Sequence, residues 1–404
     1  MNILITGAQF NNKGAQSLLF SLISELYERL SDVNIFYIPL DSFFEYKQDE
    51  YRFFFVFDDM SAQDFKEDIF LYAKRKIKNF YEKGKIAEEQ YLSKIIKKID
   101  AMIDISGYQL TSKAAKSDNR RYIRYIKEAN KRNIPVILLP QSFGPFDYND
   151  SSFIIEAKEA LHSVRIIFCR ESSGYNLLKE QFGLENLRFA PDLVLQTSVE
   201  KISNIYKNEN EIKTLRIGTK ANVGIVPNEQ TLVHGQSEHI IFIYKKIIEF
   251  LVENGKEVYI FRHSNDLKLC EEIYAMFYDD SRVHIIKDEM NCLEYSCFVQ
   301  QFDFIVASRY HAIIHAYKKN VPTVILGWAD KYFELARLMN QEEYVEDITK
   351  PNVDVSYIIG MVNRMSIGFE NEKKKIDVAI SKIKKNSAIE ESLHIIRENC
   401  HYDN

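Results

Sequence analysis

Apolar and polar positions alternate along this chain in two registers. Short apolar runs at 2–6, 33–38, 52–57, 101–105, 135–139, 164–168 and 187–189 have the length and composition of buried strands. Between several of them the apolar residues recur every three or four positions. Leu18, Leu19, Leu22, Ile23 and Leu26 stripe one helix face, and Tyr122, Ile123, Ile126 and Ala129 stripe another. A polar, poorly patterned stretch at 199–213 interrupts the alternation and reads as a linker. The alternation then restarts, with strands predicted at 215–218, 222–226, 257–261, 283–286, 304–307 and 323–326. Helices are predicted at 238–252, 266–277, 292–301 and 331–339, and a helical tail from 353.

Strands alternating with helices predict parallel βαβ units. The expected fold class is therefore α/β: two Rossmann-like doubly wound domains facing a cleft, a GT-B-type arrangement, with a helical C-terminal tail. The expected boundaries are 1–200, with a basic helical insertion near 61–99, then 212–350 and a tail at 353–404. The loop from Gly7 to Gly14 joins a strand to a helix without the GxGxxG spacing, so no dinucleotide fingerprint is present. It suits an anion-binding loop or a plain tight turn.

The stretch from Asp303 to Tyr317 carries the sharpest chemistry. A buried-strand run, Phe304 to Ala307, switches at Ser308 to a helical pattern with Ala312, Ile313 and Ala316. Ser308 is a natural N-cap, which puts Arg309, Tyr310 and His311 in the first turn. That turn has free N–H groups and the positive end of the helix dipole, so an anion site beside a titratable group is expected.

Composition narrows the rest. A net charge of −5 argues against a nucleic-acid binder, so an anionic substrate needs a local basic pocket. The five cysteines are scattered, with no paired CxxC, which points to reduced thiols rather than zinc or disulfides. His311 and His315 mimic a zinc pair, but no Glu follows His311 and no third ligand is visible, so no metal is expected. No cationic stretch precedes the first strand and no apolar run is long enough to span a bilayer, so a cytoplasmic protein is expected. Between Tyr72 and Lys98, nine Lys or Arg face three Glu on amphipathic helices. A solvated face over a core-facing stripe is the ordinary meaning of that pattern; peripheral contact with anionic headgroups at the inner face of a membrane is the other.

Four stretches together resemble the polysaccharide pyruvyltransferases. They are Asn11-Asn12-Lys13-Gly14-Ala15-Gln16-Ser17, Gln141-Ser142-Phe143-Gly144-Pro145, Arg170-Glu171-Ser172-Ser173 with Ala190-Pro191-Asp192 behind it, and Ser308-Arg309-Tyr310-His311 with Pro322 downstream. The resemblance runs from the first strand to about Met339. It implies transfer of a pyruvyl group from phosphoenolpyruvate, a donor substrate needing no cofactor, onto two hydroxyls of a sugar or lipid-linked glycan as a cyclic ketal during surface polysaccharide biosynthesis. It assigns Arg170, Arg309 and His311 to catalysis and donor binding. Asn12, Gly14, Gln16, Gln141, Ser142, Gly144, Asp192, Ser308, Lys331 and Glu334 follow as substrate-binding candidates. Three positions depart from the family pattern: Ala15 where Asp is common, Ser106-Gly107-Tyr108 where glycines usually run, and Glu171 in place of Asp. They bear on the acceptor more than the donor.

The residues fit such chemistry. Arginine forks suit the carboxylate and phosphate of the donor, and an imidazole titrating near neutrality suits proton transfer. Structural alternatives stand beside them: Arg170 could bridge Glu171 or Asp192, His311 could bond a buried backbone group, Gln141, Ser142 and Gly144 could shape a strand-end turn, and Lys331 and Glu334 could merely cap a helix. His315 reads as a core residue. Two other functions share the expected frame: a nucleotide-sugar-dependent glycosyltransferase, and a non-catalytic glycan-binding protein.

Overall fold

In the computed structural model the described residues are 1–40, 48–60, 90–198, 201–208, 212–213, 215–218, 221–385 and 387–401. The basic helical pattern expected near 61–99 falls mostly outside them. They form two compact units, 1–211 with 386–404, and 212–385.

Unit 1 is built on a seven-stranded parallel sheet. Its strands are β1 (Asn2–Thr6), β2 (Asn34–Tyr37), β3 (Phe54–Phe55), β4 (Ala101–Asp104), β5 (Val136–Gln141), β6 (Ile166–Cys169) and β7 (Leu187–Phe189), in the order β3-β2-β1-β4-β5-β6-β7. The order reverses between β1 and β4, the point at which doubly wound sheets open a crevice beyond the strand ends. The residues of β4 and β5 are buried throughout, as expected of strands covered on both faces. The helix Lys13–Arg29 buries Leu18, Leu19, Leu22, Ile23 and Leu26. Gly7 turns the chain out of β1 at φ +94, where a Cβ would strike the Asp104 carboxylate and Ser106.

Unit 2 repeats the plan with six strands: β8 (Asn222–Val226), β9 (Glu257–Phe261), β10 (Val283–Ile286), β11 (Phe304–Ala307), β12 (Thr323–Gly327) and β13 (Val345–Asp347). Their order is β10-β9-β8-β11-β12-β13, and the reversal falls between β8 and β11. Every pairing is parallel. Its core unites Val223, Ile225, Ile243, Ile247, Ile260, Phe304, Val306 and Val324 with Ile358, Met361 and Met365 of the helix Val355–Lys385.

Two expectations are corrected. The segment 215–218 is not a strand: the Gln301 amide donates to the Leu215 carbonyl at 2.8 Å and accepts from Ile217 N–H at 3.2 Å, doing for that backbone what a neighbouring strand would. The tail is not one body. Val355–Lys385 packs in unit 2, whereas Ala388–His401 belongs to unit 1, tied by the Ala388 N–H to the Gln196 side chain at 2.6 Å and by Arg29 to Glu390. No helix among the described residues is long and apolar enough to cross a membrane.

Candidate functional site

In unit 2 the chain leaves β11 at the sheet's reversal point, which places Ser308, Arg309 and His311 at the carboxyl edge. The N-cap is Arg309, not Ser308 as the sequence suggests, and the helix runs Tyr310–Lys318. The Ser308 hydroxyl is committed elsewhere: it pairs with the Tyr244 phenol at 2.6 Å. Its carbonyl accepts from the Tyr332 hydroxyl and the Asn228 amide, each at 2.9 Å. Burial raises both phenols above the ordinary tyrosine range, so they stay protonated. Ser308 is thus a buried fixing point.

Arg309 holds the cap in an extended backbone, and its side chain makes no capping hydrogen bond. The guanidinium meets Asp266 in two hydrogen bonds, at 2.7 and 2.5 Å. Asp266 is fully buried and also accepts the Glu229 N–H at 3.1 Å, while a quarter of Arg309 stays accessible. The pair is neutral overall, with part of the cation accessible. His311 is half-buried, edge-on to Tyr310 at 5.6 Å. His315, one turn later, is buried beside Tyr295 and His263. The Lys331 ammonium lies over the rings of Tyr310, Trp328 and Tyr332 at 5.4, 5.2 and 5.6 Å, and Glu334 is half-buried on the helix Asp330–Leu338.

In unit 1 Arg170 is the first residue beyond β6. Its Nε donates to Glu171 at 2.8 Å and Nη1 to Asp192 at 3.0 Å. Nη2 donates to the Ser142 hydroxyl at 2.6 Å and the Gly107 carbonyl at 3.3 Å. Ser142 in turn donates its hydroxyl to Glu171 and its N–H to Gly107. Asp192 caps the short helix Leu193–Gln196 through the Val194 N–H. One cation against two carboxylates leaves this cluster with a net charge of −1 when ionised, and only 5 % of the Arg170 side chain is accessible. The structural bridge held open by the sequence is therefore present, with both carboxylates at once.

The remaining candidates divide by exposure. Gln141 has no exposed surface: its amide donates to Asp104 and the Leu139 carbonyl, and it accepts from the Tyr122 hydroxyl. Gly144 sits at φ +80, and a Cβ there would come within 2.7 Å of Leu177. Asn12 is exposed and caps Lys13–Arg29 by accepting the N–H groups of Gly14 and Ala15; Gly14 and Gln16 are buried in the first turn.

Two carboxylates were missed. Asp266 carried one signal, its place at the start of a helix just past β9. Asp104, the last residue of β4, carried none beyond a charge in an apolar run. It accepts from Thr6, Ser106 and Gln141. Burial still raises its pKa above the usual carboxylate value. Among the described residues no group of three or more His, Cys, Asp or Glu could hold a metal ion.

Solved structures share the fold. UDP-GlcNAc 2-epimerase from Neisseria meningitidis is 12% identical with a TM-score of 0.55, covering 100% of both chains. The enzyme of that name from Methanocaldococcus jannaschii is 14% identical at 0.54, covering 90% of this chain and 92% of the other. TarM from S. aureus, in complex with Fondaparinux, alpha-GlcNAc-glycerol and UDP, is 11% identical at 0.56, covering 99% of each. At such identity the likeness speaks for the GT-B-type fold alone. No curated protein matches the chain. The family model described as polysaccharide pyruvyl transferase matches residues 12–330, a span that takes in the Arg170 cluster and the edge carrying Arg309 and His311, and the chain belongs to that family.

Proposed function

We propose that the chain transfers the pyruvyl group of phosphoenolpyruvate to two hydroxyls of a sugar or glycan acceptor, forming a cyclic ketal and releasing phosphate. The observation that carries this reading is the partly accessible Arg309 and half-buried His311 at the unit 2 reversal point, on a chain of this family. Arg309 offers a guanidinium to the donor's charges, with Lys331 as a second cation on the same unit. His311 supplies the proton that adds to the donor's methylene carbon. One acceptor hydroxyl then bonds to the central carbon and gives up its proton; phosphate departs with the former enol oxygen. A second hydroxyl adds in its place, loses its proton and closes the ring.

Arg170 takes a positioning part. Its fork holds Glu171, Asp192, Ser142 and Gly107 together, and direct contact with the donor would require one of them to give way. The test is phosphate release from phosphoenolpyruvate over a panel of sugars and lipid-linked glycans, run beside UDP release from UDP-sugars. Acceptor-dependent phosphate release that vanishes in His311→Ala supports the proposal. UDP release without phosphate release defeats it.

A further inference from the structure

A cavity of about 540 Å³ opens in unit 1 where the loop after β4 meets the loop after β5. Its size lies within the roughly 300–1,000 Å³ of small-molecule sites. Ser112, Lys116, Asn119, Asp147, Tyr148 and Asp150 supply most of its polar lining. The walls are built rather than accidental. Ser112 donates its N–H and hydroxyl to the Pro145 carbonyl at 2.8 and 3.1 Å, clamping one loop to the other. The buried Asn119 receives the Tyr148 hydroxyl at 2.8 Å and donates to the Thr111 carbonyl at 3.0 Å.

Its charges argue against an anion. Two helices, Lys116–Asn130 and Ser151–His162, begin at the cavity, but Asp150 already occupies this positive ground. It caps Ser151–His162 through Phe153 and pairs with Lys116 at 3.1 Å and Arg120 at 3.6 Å. The exposed Asp147 adds a second carboxylate, so the two carboxylates balance Lys116 and Arg120 and no surplus positive charge remains to hold a phosphate. A neutral polyhydroxylated ligand needs no such surplus. Its hydroxyls can donate to Asp147 and exchange hydrogen bonds with the exposed Asn149 amide, with the half-buried Tyr148 ring as an apolar face.

Two residues stand between the cavity's wall and the Arg170 cluster: Thr111, whose N–H donates to the lining Asn119 at 3.1 Å, and Tyr108. Tyr108 is 48 % exposed. Its hydroxyl donates to the Gly144 carbonyl at 2.7 Å and lies 3.1 Å from the Thr111 hydroxyl, while its neighbour Gly107 accepts from Arg170. From these observations we infer that the cavity is a subsite for a neutral sugar unit of the acceptor, with Tyr108 as the aromatic step toward Arg170. The chain thus recognises two or more linked sugars rather than one. This rests on the transfer reading for its purpose, but binding can be measured without donor.

The experiment is calorimetric titration of the full chain with maltotriose, cellotriose, chitotriose and 3′-galactosyllactose, beside their monosaccharides and inorganic phosphate. At least one trisaccharide is expected to bind ten times or more tighter than its monosaccharide. Ala114→Phe, which fills the cavity, and Asn149→Trp, which crowds its mouth from an exposed position, should each remove that difference while melting as the parent does. If Ala114→Phe melts early, Asn149→Trp alone decides. Equal affinities for trisaccharide and monosaccharide, binding unchanged in Asn149→Trp, preference for phosphate, or no binding by any of these sugars each overturns the inference. Variant-sensitive sugar binding without phosphate release from phosphoenolpyruvate leaves the subsite standing and removes the transfer reading; acceptor-dependent phosphate release with variant-insensitive sugar binding does the reverse.

Discussion

Two arginines stand at comparable points of two similar sheets, each just beyond a strand's carboxyl end, and they are tied down differently. Arg170 is gripped by Glu171, Asp192, Ser142 and a backbone carbonyl, with 5 % of its side chain accessible. Arg309 has one buried carboxylate, Asp266, on one side and a quarter of its side chain exposed. The first cluster carries a surplus negative charge, the second none. The lesson is that a guanidinium's position says less than its unused donors: a saturated fork builds a site, and a fork with donors to spare can receive a ligand.

The sharpest way to break this contrast is to remove each cation. Arg170→Ala leaves two buried carboxylates without their partner and should cost about 3–5 kcal/mol. Arg309→Ala should cost less, because Asp266 keeps the Glu229 N–H and water can reach the vacated position. Chemical denaturation of the two variants measures this, and the opposite ranking would erase the distinction. Next in size is His311→Ala, expected to lower phosphate release by about 10²–10⁴-fold with melting and donor binding nearly unchanged. A large drop in melting temperature instead would recast His311 as a packing residue. Arg309→Lys keeps charge but loses the two-pronged grip, and should raise the apparent KM for phosphoenolpyruvate about tenfold, roughly 1.4 kcal/mol.

The smallest effect belongs to Asp104. Its folded pKa is raised, so the folded state holds a proton that the unfolded state releases at lower pH. Stability contributed by the protonated form is therefore lost as pH climbs from the ordinary aspartate value through the folded one. Asp104→Asn should match the parent in acid and gain on it toward neutrality, read as melting temperature against pH. A constant offset at all pH values would mean that the carboxyl titrates alike in the folded and unfolded states.

What the amino-acid pattern could and could not convey follows from the range of the forces. The strands at 187–189, 222–226, 257–261 and 283–286 stand within the predicted bounds, because a short apolar run between turn residues is a local signal. The Ser308 cap failed because Tyr244, 64 positions away, claims the hydroxyl. The segment 215–218 failed because a distant glutamine stands in for a strand. Asp266 and Asp104 stayed hidden for the same reason: Arg309 lies 43 positions from the one and Gln141 37 from the other. Residue types capable of chemistry were visible; which of their donors remain unused was set by tertiary partners.

The last helix, Ala388–His401, completes the half of the molecule that begins at the first residue. Ile389, Leu393 and Ile396 are buried there. During synthesis, the sheet of unit 1 must therefore wait for residues 388–401 to emerge before its last layer arrives. A nascent chain cut at residue 385 would hold a finished second unit and an unfinished first, so proteolytic resistance of the early strands should appear only once residues 388–401 are present.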